Sequence, residues 1–216
     1  MRGVFVTGTG TEVGKTVVAA VIARAHATAG ERVAVFKPAV SGLSEGGEPD
    51  HALLRRAAAS GQSDDEIAPY RYDPPVSPHL GAELAGERIE PRRLVDAAQA
   101  AAERGDFLVG EGVGGLLVPL TLGYLVRDLA RELALPLVIA ASPGLGTINH
   151  TLMTIEAARA VGLDLAAVVL TPWPADPSTV EASNREAIER LGAVRVETLG
   201  RVDLAQPERW PALSLP

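Results

Sequence analysis

The sequence predicts an α/β fold in which a mostly parallel sheet carries helices on both faces. Three observations predict it. Short β-branched runs alternate with helical patterns along all 216 residues, the order expected of successive strand–helix–strand units. The first run, Val4-Phe5-Val6-Thr7, leads through a glycine-rich loop to Gly14-Lys15-Thr16 and then to an apolar helical stretch, residues 17–29. A later run, Phe107-Leu108-Val109-Gly110, ends in the acid Glu111 and the glycines Gly112, Gly114 and Gly115.

The remaining elements follow in chain order. Val33-Ala34-Val35-Phe36 reads as the second strand, followed by a polar, glycine-rich loop over 41–49. Asp50 opens a helix reaching about residue 60, in the position of an N-cap. Residues 61–78 read as irregular and proline-rich. Pro91 starts a helix to 104, with proline at the favoured first position. Residues 125–133 read as helix, 136–141 as a buried strand and 147–161 as helix. Residues 166–170 read as strand, 178–191 as a helix capped by Ser178 or Thr179, and 194–196 as the last strand. The proline-broken tail, 206–216, reads as irregular. No repeat, heptad or long linker divides the chain, so residues 1–216 read as one domain.

The bulk numbers exclude several classes. Hydrophobic residues make up 47% and charged residues 22%, as in a globular protein, and aromatics are only 4%, so the core should be aliphatic. The net charge of −7 provides no general basic field for nucleic acid. Without cysteine there is neither a disulfide nor a thiolate nucleophile, which fits a cytoplasmic protein. The first strand begins within two or three residues of Met1, so no signal peptide is expected, and the apolar runs are too short to span a bilayer.

Strand, glycine-rich loop, Gly-Lys-Thr and helix form a phosphate-binding loop. Its backbone N–H groups form an anion cradle, Lys15 reaches the outer phosphates, and Thr16 offers a hydroxyl to Mg²⁺. The first glycine of the common pattern would fall at Thr9, whereas glycines stand at 8 and 10. The plain alternative, a glycine-rich turn with a surface lysine, does not account for the strand and helix on either side.

In a parallel sheet, ligands bind beyond the C-terminal strand ends. Residues 8–16, 37–42, 111–115, 142–147, 171–173 and 200–203 should therefore line one crevice. Lys37, held by Pro38, would bring a second ammonium to the phosphates; otherwise it is a solvated lysine at a strand end. Glu111 stands where phosphate-loop enzymes place a metal-binding acid; otherwise it caps the next turn. Asp50 is either an N-cap or, with Thr16 and Glu111, part of the hard-oxygen set that Mg²⁺ prefers. Glu12, inside the loop, should face away from phosphate, toward a cation or an amine. Gly144-Leu145-Gly146-Thr147 is either a second anion site or a plain strand-to-helix turn. His51, His79 and His150 lack metal-ligand spacing, and Ser41 and Ser142 lack a paired histidine, so no hydrolase triad is expected.

With these residues in view, the chain resembles the dethiobiotin synthetase family over nearly its whole length. Four stretches carry the likeness. They are Thr7-Gly8-Thr9 with Thr11-Glu12-Val13-Gly14-Lys15-Thr16, Lys37-Pro38 with Ser41-Gly42, Glu111-Gly112 with Gly114-Gly115, and Gly146 with Ile148-Asn149-His150. The first includes the family's own glycine placement. The resemblance implies a P-loop NTPase-like fold and a cytoplasmic homodimeric ligase of biotin biosynthesis. Such an enzyme closes a ureido ring from 7,8-diaminononanoate, CO₂ and ATP through a carbamate and a carbamic–phosphoric mixed anhydride. It implies Lys37 and Lys15 as catalytic residues and Thr16, Asp50 and Glu111 as Mg²⁺ ligands. Nucleotide contacts would come from Glu12, Val13, Gly14, Lys15, Thr16, Val17, Asp50, Glu111, Gly112, Val113 and Gly114, and from Thr171, Pro172, Val202, Asp203 and Leu204. Ser41, Glu12, Thr147 and Asn149 would touch the diamine acid, the last two from across the dimer interface.

The chain also departs from the family. Gly10 replaces a common acid, and Gly110 stands where a β-branched residue is usual. Thr171-Pro172 occupies the place of an Asn-Asp pair that reads adenine; Thr171 has no amide and Pro172 no N–H. Two other readings of the same loop fit less well. A switch ATPase of the partition and division type usually carries an extra lysine early in the loop, and residues 7–13 hold none. An amidating synthetase of cofactor metabolism needs a nucleophilic cysteine.

Overall fold

A computed structural model describes residues 1–213. Six strands form one parallel sheet in the order β2 (Val33–Phe36), β3 (Phe107–Gly115), β1 (Gly3–Gly8), β6 (Leu137–Ala141), β7 (Leu165–Trp173), β8 (Val196–Gly200). β1 (Gly3–Gly8) is central and buried throughout. Its side chains alternate across the sheet: Val4 and Val6 enter one core and Phe5 the other. α1 (Lys15–Thr28) lies on the Val4/Val6 face and contributes Val18, Ala19 and Ile22 to that core. β2 (Val33–Phe36) splits in the same way, with Val35 on that face and Phe36 on the other.

α2 (Asp50–Ala58) covers the same face through Leu53, Leu54 and Ala57. Here the sequence reading needs correction. Asp50 is the first helical residue, not the N-cap; Pro49 is the N-cap, and the carboxylate of Asp50 is directed elsewhere. The stretch 61–78 is also more ordered than expected. α3 (Asp64–Ile67) is closed by a capping box between Ser63 and Glu66, and α4 (Pro78–Leu84) follows with proline at its start. A four-residue helix is too short to show a hydrophobic period, which is why it escapes a sequence reading.

α5 (Pro91–Arg104) begins at proline as expected and packs Leu94, Val95 and Ala98 on the opposite face. β3 (Phe107–Gly115) runs four residues past Glu111, and its register with β1 shifts between Val6 and Gly8. A small hairpin, β4 (Pro119–Thr121) with β5 (Tyr124–Leu125), leads into α6 (Val126–Leu133). β6 (Leu137–Ala141) is fully buried. α7 (Thr147–Arg159) ends two residues before the expected boundary. β7 (Leu165–Trp173) continues past residue 170 through Thr171 and Pro172.

α8 (Thr179–Gly192) opens on a capping box between Ser178 and Glu181, so Ser178 is the cap. β8 occupies Val196–Gly200 rather than 194–196, because pairing with β7 begins at Val168–Val196. α5 to α8 bury Leu94, Leu129, Ile155 and Ile188 on the Phe5 face, so helices cover both sides of the sheet as expected. The core is mainly aliphatic, with Phe5, Phe36 and Tyr70 among its few large aromatics. A 3₁₀ turn at Pro207–Arg209 interrupts the tail, and residues 214–216, part of the stretch expected to be irregular, lie outside the described residues. Among the described residues, no helix is long and apolar enough to cross a membrane.

Candidate active site

The chain reverses direction across the sheet at β1, whose neighbours are β3 and β6. A crevice forms outside the C-terminal ends of strands at such a point. The loop after β1 turns at Gly14, with φ of 85°, a left-handed conformation that a side chain disfavours. A Cβ there would also meet Thr171 Cγ2 at 2.7 Å. Gly8 is required for a similar reason, since a Cβ would lie 2.7 Å from Val13 Cγ2. Gly14 caps α1 without a side-chain hydrogen bond, and no acid stands in the first turn. The helix thus begins with unpaired N–H groups and an uncompensated dipole, both suited to phosphate.

Three strands deliver charge to this point. Lys15 is buried and folds back over the loop, its Nζ donating to the Gly10 carbonyl at 2.9 Å. Lys37, just after β2, is only 2% exposed, so it is not a solvated strand-end lysine. Its ammonium donates to Glu111 Oε1 at 2.7 Å and to the Gly112 carbonyl at 3.4 Å, and forms an ion pair with Asp50 Oδ2 at 2.8 Å. Glu111 has no exposed surface. The Thr16 hydroxyl lies 3.0 Å from Asp50 Oδ1 and 2.9 Å from Glu111 Oε1. It has one hydrogen and can donate to only one of them at a time. Glu111 Oε2 is buried without a partner. Thr16, Asp50 and Glu111 therefore hold more oxygen lone pairs than the surrounding donors satisfy, and a divalent cation fits that donor set.

Burial and charge set the protonation of these groups. Burial pushes the Lys15 ammonium below its usual value, with Glu111 opposing. Burial pushes Lys37 down too, but Glu111 and Asp50 together carry it above its usual value. For Asp50, burial raises the carboxyl, and Lys37 more than reverses this, leaving it below the usual range. Burial dominates at Glu111 and pushes its carboxyl up, with Lys37 opposing. The ensemble is a lysine clamped between carboxylates in a site of low dielectric.

The other expected residues lie around this centre. Glu12 is exposed at φ of 59° and makes no ion pair among the described residues. Val13 is half-buried, and Val17 packs against the α1-face core. Gly112 is packed so closely that a Cβ would meet Val126 Cγ1 at 2.8 Å, whereas Val113 and Gly114 are half-buried. Ser41 shares with Asp50 the wall of a small cavity of about 150 Å³. Thr171 is buried against Gly14, while Pro172 is exposed. Val202 packs on the core, and Asp203 and Leu204 are exposed.

Thr147 is buried, its hydroxyl 3.4 Å from that of Thr151 and its N–H on the Gly144 carbonyl, so of the α7 pair only Asn149 is open to a ligand. A larger cavity, about 470 Å³, adjoins the phosphate loop at Thr9, Gly10 and Thr11. Its walls include Leu117, Val118, His150 and Met153. No sequence signal marked this cavity, because its far wall is the exposed face of α7. His150, assigned no chemistry from spacing, lines it.

Solved structures with this architecture include an apo McdA from Cyanthece, with a TM-score of 0.59 and 11% identity over 96% of this chain and 90% of that one. The chloroplast FtsY of Physcomitrella patens aligns with a TM-score of 0.53 and 15% identity over 94% of this chain and 60% of that one. At these identities the likeness concerns the fold alone. A family model described as an AAA domain matches residues 2–208. Curated relatives are far closer in sequence. The ATP-dependent dethiobiotin synthetase BioD of Anaeromyxobacter dehalogenans strain 2CP-1 is 44% identical over 88% of this chain and 86% of its own. That of Bacillus subtilis strain 168 is 36% identical over 91% and 85%, and that of Bacillus cereus strain B4264 is 40% identical over 91% and 81%. On the strength of these matches along almost its entire length, the chain belongs to the dethiobiotin synthetase family.

Proposed function

We propose that this protein is a ligase that forms the ureido ring of dethiobiotin from 7,8-diaminononanoate, CO₂ and ATP. The observation that carries the reading is the convergence of Lys15, Lys37, Thr16, Asp50 and Glu111 at the mouth of a phosphate loop, in a chain of this family. One substrate amine becomes a carbamate, whose oxygen attacks the γ-phosphorus and displaces ADP to give a mixed anhydride. The second amine then attacks the carbamoyl carbon and expels phosphate. Lys15 and Lys37 neutralise charge that builds on the carbamate and the moving phosphoryl group, and positioning does the rest. Thr16, Asp50 and Glu111 would hold Mg²⁺, which lowers the charge repulsion of the terminal phosphates.

The loop residues Glu12 to Val17, together with Gly112, Val113 and Gly114, surround the nucleotide in this reading. Thr171, Pro172, Val202, Asp203 and Leu204 lie toward its base. The cavity beside Thr9 and Thr11, polar at the loop and apolar at Leu117 and Met153, suits an aliphatic chain ending in amines. Ser41 and Glu12 would hold the amines. Asn149, at the uncapped start of α7, would receive the carboxylate from a second copy of the chain. The partners are thus small molecules and an identical subunit, in the cytoplasm.

Incubation with diaminononanoate, bicarbonate, Mg²⁺ and ATP, followed by mass analysis, tests the proposal. ADP release that requires the diamine, with formation of the cyclised product, is expected. ATP hydrolysis indifferent to the diamine and stimulated by DNA or lipid would instead identify a switch ATPase.

A further inference from the structure

The Lys37 ammonium donates to Glu111 Oε1 and, at 3.4 Å, to the Gly112 carbonyl, and it is ion-paired with Asp50 Oδ2 at 2.8 Å. Its strongest contacts are therefore with the protein's own two carboxylates. The same two carboxylates, with Thr16 between them, form the oxygen set that suits a divalent cation. A cation bound to Asp50 and Glu111 would stand within a few ångströms of the ammonium, with Lys37 and Glu111 shielded from water and Asp50 partly exposed. Glu111 Oε2 is free, but the ammonium already occupies Glu111 Oε1 and Asp50 Oδ2, so the two cations compete for these carboxylates and repel each other across them.

We propose that Lys37 is the resident counter-ion of the Asp50–Glu111 pair and that it exchanges places with the divalent cation when nucleotide arrives. This rests on the reading of Thr16, Asp50 and Glu111 as the cation's ligands. The lysine keeps two acids, one of them with no exposed surface, from facing each other unpaired. A triphosphate in the loop offers the ammonium a new anionic partner, so leaving the carboxylates no longer strands a buried charge. The cation then takes the vacated oxygens, and the freed hydrogens of Lys37 reach the phosphoryl group. A single event installs both charges, and a bare metal ion is turned away.

Mn²⁺ binding, followed by electron paramagnetic resonance without turnover, tests the exchange. The wild-type chain alone should bind Mn²⁺ weakly, and Lys37→Ala about tenfold or more tightly, because the competing charge is gone. With a non-hydrolysable ATP analogue present, the two proteins should differ much less. A folded Lys37→Ala protein that binds Mn²⁺ no better than wild type overturns the exchange. Asp50→Asn should lose nucleotide-dependent Mn²⁺ binding; if it binds as wild type does, the ligand assignment itself is wrong and the exchange falls with it. Should Lys37→Ala fail to fold, the wild-type protein still decides. The NMR signal of the Lys37 ammonium should move on addition of Mg²⁺ with the analogue and stay in place with Mg²⁺ alone. A shift with Mg²⁺ alone refutes the proposal.

Discussion

Beyond the ends of β2 and β1, and within β3, the working groups Lys37, Lys15 and Glu111 are all buried, and Lys37 and Glu111 are paired with each other. At the ends of β6, β7 and β8, the rim is made of Ser142, Gly144, Pro172, Arg201 and Asp203, all exposed. The first half holds charges in fixed positions in a low dielectric, where they act strongly on a transferring phosphoryl group. The second half is shaped largely by backbone. Asn184 on α8, for example, donates to the Pro143 and Gly144 carbonyls at 2.9 and 3.1 Å and so fixes the approach to α7. The contrast separates demanding electrostatics on one side from shape and adaptable recognition on the other.

Four measurements test that contrast. The largest effect belongs to the charged half. Lys37→Ala should lower the rate of ring closure by about 10²–10³ while leaving nucleotide binding in place, as steady-state kinetics and calorimetry would show. Full activity would remove the lysine from the mechanism. The same cluster predicts a pH dependence. Asp50 is held below its usual range, so its stabilising contribution is complete above about pH 4 and is lost as pH falls through the depressed value. Lys37 is held above its usual value, so its contribution is complete below about pH 10 and is lost as pH rises further. Melting temperatures of wild type and Lys37→Met should therefore differ most between these limits; a constant difference at every pH would contradict the charged pairing.

Gly14→Ala tests the seam between the halves, since the new methyl group meets Thr171 in a backbone conformation that alanine resists. It should cost about 1–3 kcal/mol by denaturant unfolding and weaken nucleotide binding. Asn184→Leu probes the backbone-shaped half by leaving two carbonyls without their donor. A loss of about 1–3 kcal/mol is expected, together with a raised KM for the diamine and little change in kcat. An unchanged KM would mean that the loop before α7 does not serve the substrate.

The charged half was the more legible in sequence. Lys15, Lys37 and Glu111 each follow a recognisable strand, and their residue types state their chemistry. What spacing did not show was the mutual bonding of Thr16, Asp50 and Glu111, which join across 34 and 95 residues. Asp50 has the sequence position of a helix cap, and only the tertiary neighbours Lys37 and Thr16 draw its carboxylate inward. The β4–β5 hairpin and α3 escaped because elements of two to four residues carry no measurable period. β8 was displaced because a β-branched run becomes a strand only where a neighbour accepts its hydrogen bonds.

The alternation of strands and helices, the phosphate loop with Lys15, the lysine after the second strand and the family likeness are all written in the linear chain. These depend on local periodicity and residue chemistry, which the linear order carries. Folding alone clamps Lys37 between Asp50 and Glu111, buries Thr147 while leaving Asn149 exposed, and forms the partly apolar cavity beside the loop. Burial and charge pairing are properties of segments brought together from distant parts of the chain, and no single stretch of sequence encodes them.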